Sequence, residues 1–435
     1  MTGTIAGEVQ GRAVRNGREL FDRWYAELSD AHAAGEQAAY VFVMGSLAEL
    51  LRVFGLHIVF PEINSLQLAV KKVADAYLSE AEDHGFSPDV CGYVKADYAL
   101  QMRGGEHPRG RIPPPAVAVL TSACNTYIKW AEIWERLYGT PVFTLDVPGS
   151  RSANGVSPDA GGLERDRRYV AHQLHELIEL LERVSGRRFD VDRLREAMSW
   201  TNEMGRGYRR ALELNARAPS AFDAVLEGTM YLGVANALRG TAAGARYFAE
   251  LVEELEGRHA AGLTGAGGAE EKHRLIFVGV PCYPIFSRFH QMFTAWGGAF
   301  VGSSYLWFAS GGLDLDFEYD VGRPIESLAD GVLRGVRRAT DAMLFHDRLL
   351  LEAIDRFGAD GVVYHPVKSC RTVSTGLADS RRVVLESRDV LALYIESDMM
   401  DRRVVSEAQL KNRIDAFFEG LESRKLRRGA AAAGG

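Results

Sequence analysis

Cysteine is scarce in this chain, and the four it has, Cys91, Cys124, Cys282 and Cys370, lie far apart among 435 residues. No two form a CxxC pair, which excludes a zinc ribbon, a thioredoxin-type site and a ferredoxin-type run built from one local loop. Also missing is any apolar run of about 18 residues, the length needed to cross a bilayer, and the N-terminus has no signal-peptide core. The expectation is a cytoplasmic protein with no membrane partner, in a compartment where structural disulfides are rare. Basic residues are not in surplus: 51 Lys and Arg stand against 58 Asp and Glu, a formal net charge of −7. Nothing is left over to neutralise a phosphate backbone, so nucleic acid is not expected as the main partner. A GxxxxGK[ST] loop is absent, so this chain carries no P-loop for ATP hydrolysis, and no repeat recurs at a fixed period of about 20–50 residues.

What is present is the balance of a soluble globular protein, 47% hydrophobic and 25% charged, in a chain long enough for two or three domains. Leu20, Phe21, Trp24, Tyr25 and Leu28 recur at three-to-four spacing and predict a helix in the first 40 residues. Short apolar runs follow at Tyr40–Met44, His57–Phe60, Ala116–Leu120 and Val142–Leu145, with helical sequence from Tyr127 to Leu137 between the last two. That is a βαβ pattern and implies a parallel sheet. From about Gly162 to Gly257 the pattern is helical, and strand signals return at Leu275–Val280, Val362–Tyr364 and Leu391–Ile395, with mostly helical sequence between the first two. The fold class predicted is α/β, with two doubly wound parallel-sheet (Rossmann- or flavodoxin-like) domains and a helical segment between them. The expected boundaries are an N-terminal helical segment over 1–40, a first α/β domain over 41–161 and a helical segment with a Gly/Ala-rich linker over 162–269. A second α/β domain spans 270–424, and a flexible tail spans 425–435.

On this map the cysteines gain meaning. Cys124, Cys282 and Cys370 each fall just past the carboxyl end of a predicted strand, where open parallel sheets bind ligands. Cys91 is expected to open a helix, whose N-terminus lowers a thiol pKa. Two readings stand: four small buried hydrophobes, or a metal site drawn from both α/β domains and set in the cleft between them. All-thiolate ligands without paired histidines suit an iron–sulfur cluster better than catalytic zinc. Lys95, Lys129, Lys368 and Arg371, close by in sequence, either offset such an anionic group or are solvated surface. Glu62, after Pro61 at the end of an apolar strand, is a candidate general acid or base, or else a first-turn or capping acid. Ser46 either hydrogen-bonds a substrate or caps a helix. His365 moves protons or makes a structural hydrogen bond. Tyr93 and Tyr127 pack, or offer a hydroxyl to the cluster.

Seven segments then carry a resemblance: Phe60-Pro61-Glu62-Ile63-Asn64, Asp89-Val90-Cys91-Gly92-Tyr93-Val94-Lys95, Cys124 with Lys129-Trp130, Arg239-Gly240-Thr241, Gly279-Val280-Pro281, Lys368-Ser369-Cys370 and Glu396-Ser397-Asp398. In this order and spacing, from about Phe42 to about Phe418, the chain resembles the large subunits of the benzoyl-CoA reductase and 2-hydroxyacyl-CoA dehydratase family, most closely on the reductase (B-type) side. The resemblance implies a [4Fe–4S] cluster held by Cys91, Cys124 and Cys370 with one iron left open. It implies single low-potential electrons delivered to a CoA thioester, the substrate, whose carbonyl becomes a ketyl radical anion. A dehydratase then expels a hydroxyl group, whereas a reductase adds a second electron and protons to an aromatic ring. It also implies a paralogous second subunit in a heterodimer, and a separate ATP-dependent iron–sulfur activator protein. Cys282 departs from the family pattern and stands as a fourth ligand, a neighbour of the cluster or an inert core thiol. Two other functions compete: a non-catalytic electron-relay or scaffold subunit, and a protein that kept the fold but lost the cluster.

Overall fold

The computed structural model describes residues 11–149, 160–265, 270–344 and 347–433. Its first sheet is built from β1 (Ala38–Val41), β2 (His57–Val59), β5 (Pro115–Thr121) and β6 (Val142–Leu145), in the order β2-β1-β5-β6 and parallel throughout. Between β2 and β5 lies an insertion of three helices, Pro61–Val70, Ala74–Asp83 and Gly92–Met102, and a small antiparallel hairpin, β3 (Glu106–His107) with β4 (Gly110–Arg111). A second parallel sheet is built from β7 (His273–Gly279), β8 (Gly298–Ser303), β9 (Gly361–His365) and β10 (Leu391–Tyr394), in the order β10-β9-β7-β8. Both central strands are covered on both faces: Val117 to Leu120 of β5 and Leu275 to Val278 of β7 are fully buried, as helix-covered parallel strands require. The α/β class with two parallel sheets flanked by helices is therefore what the chain adopts.

Counted within its own unit, each sheet has the same order, 2-1-3-4, in which the switch point lies between the first and third strands. Helices Ala160–Ser185, Val191–Asn215, Leu226–Ala237 and Ala242–Ala260 fill the chain between the sheets. Asp190 caps the second of them by accepting the Asp192 and Arg193 N–H groups. This layer is bolted to its neighbours by a buried ion pair between Arg239 and Glu49 at 2.6 Å, with Arg239 also donating to the Ser310 carbonyl.

The structure departs from the sequence-based expectation in four places. Strand β8 lies inside sequence expected to be helical; its Gly298 and Gly302 mask the strand pattern, and Gly298 is needed because a Cβ there would meet the Phe418 ring at 2.6 Å. The first strand begins at Ala38, three residues inside the expected N-terminal segment, because the small buried alanines pair in the sheet before the bulkier run begins. The tail expected to be flexible from residue 425 continues the helix Glu407–Ala433, as its Arg, Lys and Ala residues favour. The hairpin β3–β4 has no counterpart in the sequence-based expectation. Residues 1–10, 150–159, 266–269 and 434–435, which fall in the expected N-terminal segment, first domain, linker and tail, lie outside the described residues. Among the described residues, no helix is long and apolar enough to cross a membrane.

Candidate functional site

Cys91, Cys124 and Cys370 each occupy the residue immediately before a helix, ahead of Gly92–Met102, Asn125–Tyr138 and Arg371–Ser374. All three thiols are free and half-buried. First-turn N–H groups point at the sulfurs, from Tyr93 and Val94 toward Cys91 and from Thr372 and Val373 toward Cys370. Cys91 feels the charges of Cys370 and Cys124, and Cys370 feels Cys124, so the three sulfurs share one neighbourhood across the two units. The helix start does not lower the Cys91 pKa as the sequence suggested. Burial pushes it well above the usual thiol range, the Cys370 thiol pushes it further, and the N–H groups only partly offset this. Burial likewise raises Cys370, to about 12.

Each seam between the three thiol-bearing segments is pinned by a side chain. Asp97, buried in the Cys91 helix, accepts from the Trp130 and Trp134 indoles of the Cys124 helix at 2.7 and 2.8 Å. Ser369, next to Cys370, accepts the Gly92 N–H beside Cys91. The Thr372 hydroxyl lies 3.6 Å from Cys124 Sγ and donates to Asn125 at 3.4 Å. A cavity of about 600 Å3 opens against this triangle, lined by Cys91, Asn125, Trp130, Ser369 and Arg371. Among the described residues, no three Cys, His, Asp or Glu side chains converge closely enough to hold a single metal ion. The donor set nevertheless suits a larger group: three free thiols, no disulfide, an adjoining cavity and backbone N–H groups directed at sulfur.

Glu62 stands in the first turn of Pro61–Val70, so its place in the helix matches the bland reading, but its surroundings do not. It is buried; Oε1 accepts the Tyr127 hydroxyl at 2.5 Å and Oε2 the Val43 N–H at 3.1 Å. Burial lifts its pKa to about 8, and the two donors hold it from rising further. Tyr127 is itself fixed by stacking on Phe42 at 3.8 Å. Val43 and Ile63, the neighbours of Glu62, line a second cavity of about 1000 Å3, with Arg18 and Lys71 exposed on its wall and Tyr305 further in. Ser46 is buried nearby in sequence, but its Oγ accepts the Ala48 N–H, which commits it to shaping the loop after β1. The Tyr93 hydroxyl is buried beside the Tyr283 and Tyr305 hydroxyls.

Cys282 differs from the other three thiols in its burial. It is wholly buried at the end of β7, and its electrostatic neighbours are Asp398 and Arg402; burial raises its pKa to about 11. His365 has both ring nitrogens engaged, Nδ1–H toward the Val280 carbonyl at 2.6 Å and Nε2 with the Ser397 hydroxyl at 2.5 Å. Burial lowers its pKa to about 4, so it stays neutral and structural. Of the four cations flagged in the sequence, Lys95 is buried and spent on Glu82 and the Pro88 carbonyl, both at 2.8 Å. Lys129 and Arg371 are exposed on the wall of the smaller cavity, and Lys368 is exposed. Asp97 and Thr372 escaped the sequence reading; a lone acid among Val94, Ala96, Ala99 and Leu100 was the available signal for Asp97.

Residues 45–421 match the family described as 2-hydroxyglutaryl-CoA dehydratase, D-component. A benzoyl-CoA reductase subunit of Thauera aromatica is 32% identical over 94% of this chain and 94% of its own length. The alpha subunit of (R)-2-hydroxyisocaproyl-CoA dehydratase from Clostridioides difficile is 27% identical over 88% of this chain and 90% of its own. The alpha subunit of (R)-2-hydroxyglutaryl-CoA dehydratase from Acidaminococcus fermentans is 23% identical, over 95% and 97%. The chain therefore belongs to the 2-hydroxyglutaryl-CoA dehydratase D-component family, which bears out the resemblance to benzoyl-CoA reductase and 2-hydroxyacyl-CoA dehydratase large subunits.

Proposed function

We propose that this chain is the cluster-bearing subunit of an acyl-CoA reductase or dehydratase, holding a [4Fe–4S] cluster through Cys91, Cys124 and Cys370. The observation that carries the reading is the meeting of three free thiols, two from the first α/β unit, which also buries Glu62, and one from the second. Bound there, the cluster would supply single low-potential electrons to a CoA thioester. Cys282, wholly buried where the other three thiols are only half-buried, is not a ligand in this reading.

The chain's own residues account for substrate and proton handling. A CoA thioester is long and amphipathic, and the larger cavity has the size and the apolar inner wall, with Val43, Ile63 and Tyr305, to take its acyl end. The exposed Arg18 and Lys71 on the same cavity suit phosphate groups. With its pKa lifted to about 8, Glu62 carries a proton at neutral pH and can give it to a leaving hydroxyl or to a reduced ring. The Tyr127 hydroxyl and the Val43 N–H then hold the carboxylate that remains and keep it aimed. The relatives are each named as one subunit of an enzyme, the dehydratases by their alpha subunits, which supports a second subunit as partner; in this reading that subunit is a paralogue, and a separate ATP-using activator would deliver the electrons.

The test is anaerobic purification followed by EPR, with aromatic and 2-hydroxyacyl-CoA thioesters added in turn. A spectrum perturbed by one thioester class supports the reading and identifies the substrate class. A cluster signal indifferent to every thioester reduces the chain to an electron relay.

A further inference from the structure

Asp398 is 1% exposed, yet its carboxylate is held by backbone N–H groups rather than by a cation. Oδ2 accepts the Ser369 N–H at 2.9 Å, and Oδ1 accepts those of Met400 and Asp401 at 2.8 and 3.0 Å. Burying a carboxylate is costly unless its acceptors are filled, so such a residue marks a loop whose geometry must be fixed. Two of the three residues it grips, Ser369 and Met400, also close on Gly92. Ser369 Oγ accepts the Gly92 N–H at 3.3 Å, and a Cβ on Gly92 would meet Met400 Cβ at 2.7 Å. Ser369 precedes Cys370 and Gly92 follows Cys91. The backbone adds a second hold, since the Lys368 N–H donates to the Ser397 carbonyl at 2.9 Å and Val367 bridges to Ser397.

We infer that Asp398 and Ser369 form a clamp that sets Cys370 against Cys91 across the seam between the two units, before any cluster is bound. They are positioning residues: neither touches the reacting atoms, and each acts through the backbone of a thiol-bearing loop. Gly92 belongs to the same device, because only the smallest residue lets the Met400 segment come so close. The inference rests on the proposed cluster ligands for its purpose, but its geometry can be read in the cluster-free chain.

The experiment compares Ser369→Ala, Ser369→Thr and Asp398→Asn with the unaltered full chain. In the iron-free protein, alkylation rates at each thiol are followed by mass spectrometry, with Cys124 as the internal control for general loosening. The clamp predicts that Cys91 and Cys370 react roughly tenfold faster in Ser369→Ala and Asp398→Asn, that Cys124 does not, and that Ser369→Thr restores the slow rates. After reconstitution, the same two variants should bind iron about 10–100-fold more weakly and show an altered EPR line shape. Unchanged rates at Cys91 and Cys370, or an equal rise at Cys124, would overturn the clamp. If the rates change as predicted but the unaltered chain takes up no iron, the clamp stands and the cluster assignment falls. Should Asp398→Asn fail to fold, the Ser369 pair decides the matter alone.

Discussion

The two sheets are wound alike, and their central strands end alike. β1 and β7 each run out through a left-handed glycine pressed on the neighbouring third strand. A Cβ on Gly45 would meet Thr121 at 2.6 Å, and one on Gly279 would meet the His365 carbonyl at 2.5 Å. Past these exits lie Ser46 in the first unit and Cys282 in the second, and past the third strands lie Cys124 and Cys370. The third-strand thiols stay half-buried and face one another, whereas the first-strand pair diverges. In the first unit that exit lies beside Glu62 and the large cavity; in the second it is closed by Cys282, His365 and Ser397. The first unit also brings Cys91, from the segment between its second and third strands; the corresponding segment of the second unit, with helices Ser304–Phe308, Pro324–Leu344 and Asp347–Phe357, carries no cysteine. Equivalent topology therefore supplies the frame, and side-chain burial sets the two halves apart.

The largest break comes from the thiols. Cys91→Ala, Cys124→Ala or Cys370→Ala should each abolish iron binding by anaerobic assay, whereas Cys282→Ala should keep it and lower stability by only about 1 kcal/mol. Loss of iron in Cys282→Ala would erase the distinction between the two first-strand exits. Next, Glu62→Gln should keep the iron but lose on the order of 10²–10⁴ in turnover. The same residue makes a pH prediction. Its pKa is raised from 4.5 to about 8, so the folded state holds the proton more tightly than the unfolded chain does. The stability this contributes is full below about 4.5 and is lost as pH rises through 8. Denaturation midpoints of the unaltered chain should therefore fall relative to Glu62→Gln across that window, by at most about 1.4 kcal/mol per pH unit. A difference that stays flat with pH would remove Glu62 as a proton donor.

His365→Phe should act in the opposite sense, costing about 2 kcal/mol of stability by orphaning the Val280 carbonyl and Ser397, while leaving iron content unchanged. The smallest effect is expected of Thr372→Val. Removing the hydroxyl beside Cys124 Sγ should shift the midpoint potential downward without loss of iron, as followed by redox titration. A rise in potential would show that this hydroxyl, which donates to Asn125 in the cluster-free chain, does not turn to the sulfur when the cluster binds.

Much of the frame was legible in the sequence because apolar runs such as Ala116–Leu120 and Leu275–Val280 have no stable place but a buried parallel strand. β8 was not, since its two glycines answer to Phe418 and Phe357, contacts that exist only after folding. The positions of Cys124 and Cys370 past strand ends followed from local pattern. Their nearness to Cys91 did not, because it depends on Asp97, Ser369 and Asp398, whose partners are distant in the chain. For the same reason the pKa of Cys91 runs against expectation: a helix start is visible in sequence, but the burial that outweighs it is not. Glu62 is ambiguous in sequence and becomes distinctive only with Tyr127 placed 2.5 Å from it.

The central claim is that Cys91, Cys124 and Cys370 together hold one iron–sulfur cluster. It is tested most directly by assaying iron and acid-labile sulfide in the anaerobically purified, unaltered chain. The account predicts about four of each per chain, with a cubane EPR signal after reduction. A chain that folds but carries neither iron nor sulfide, even after reconstitution, would contradict it.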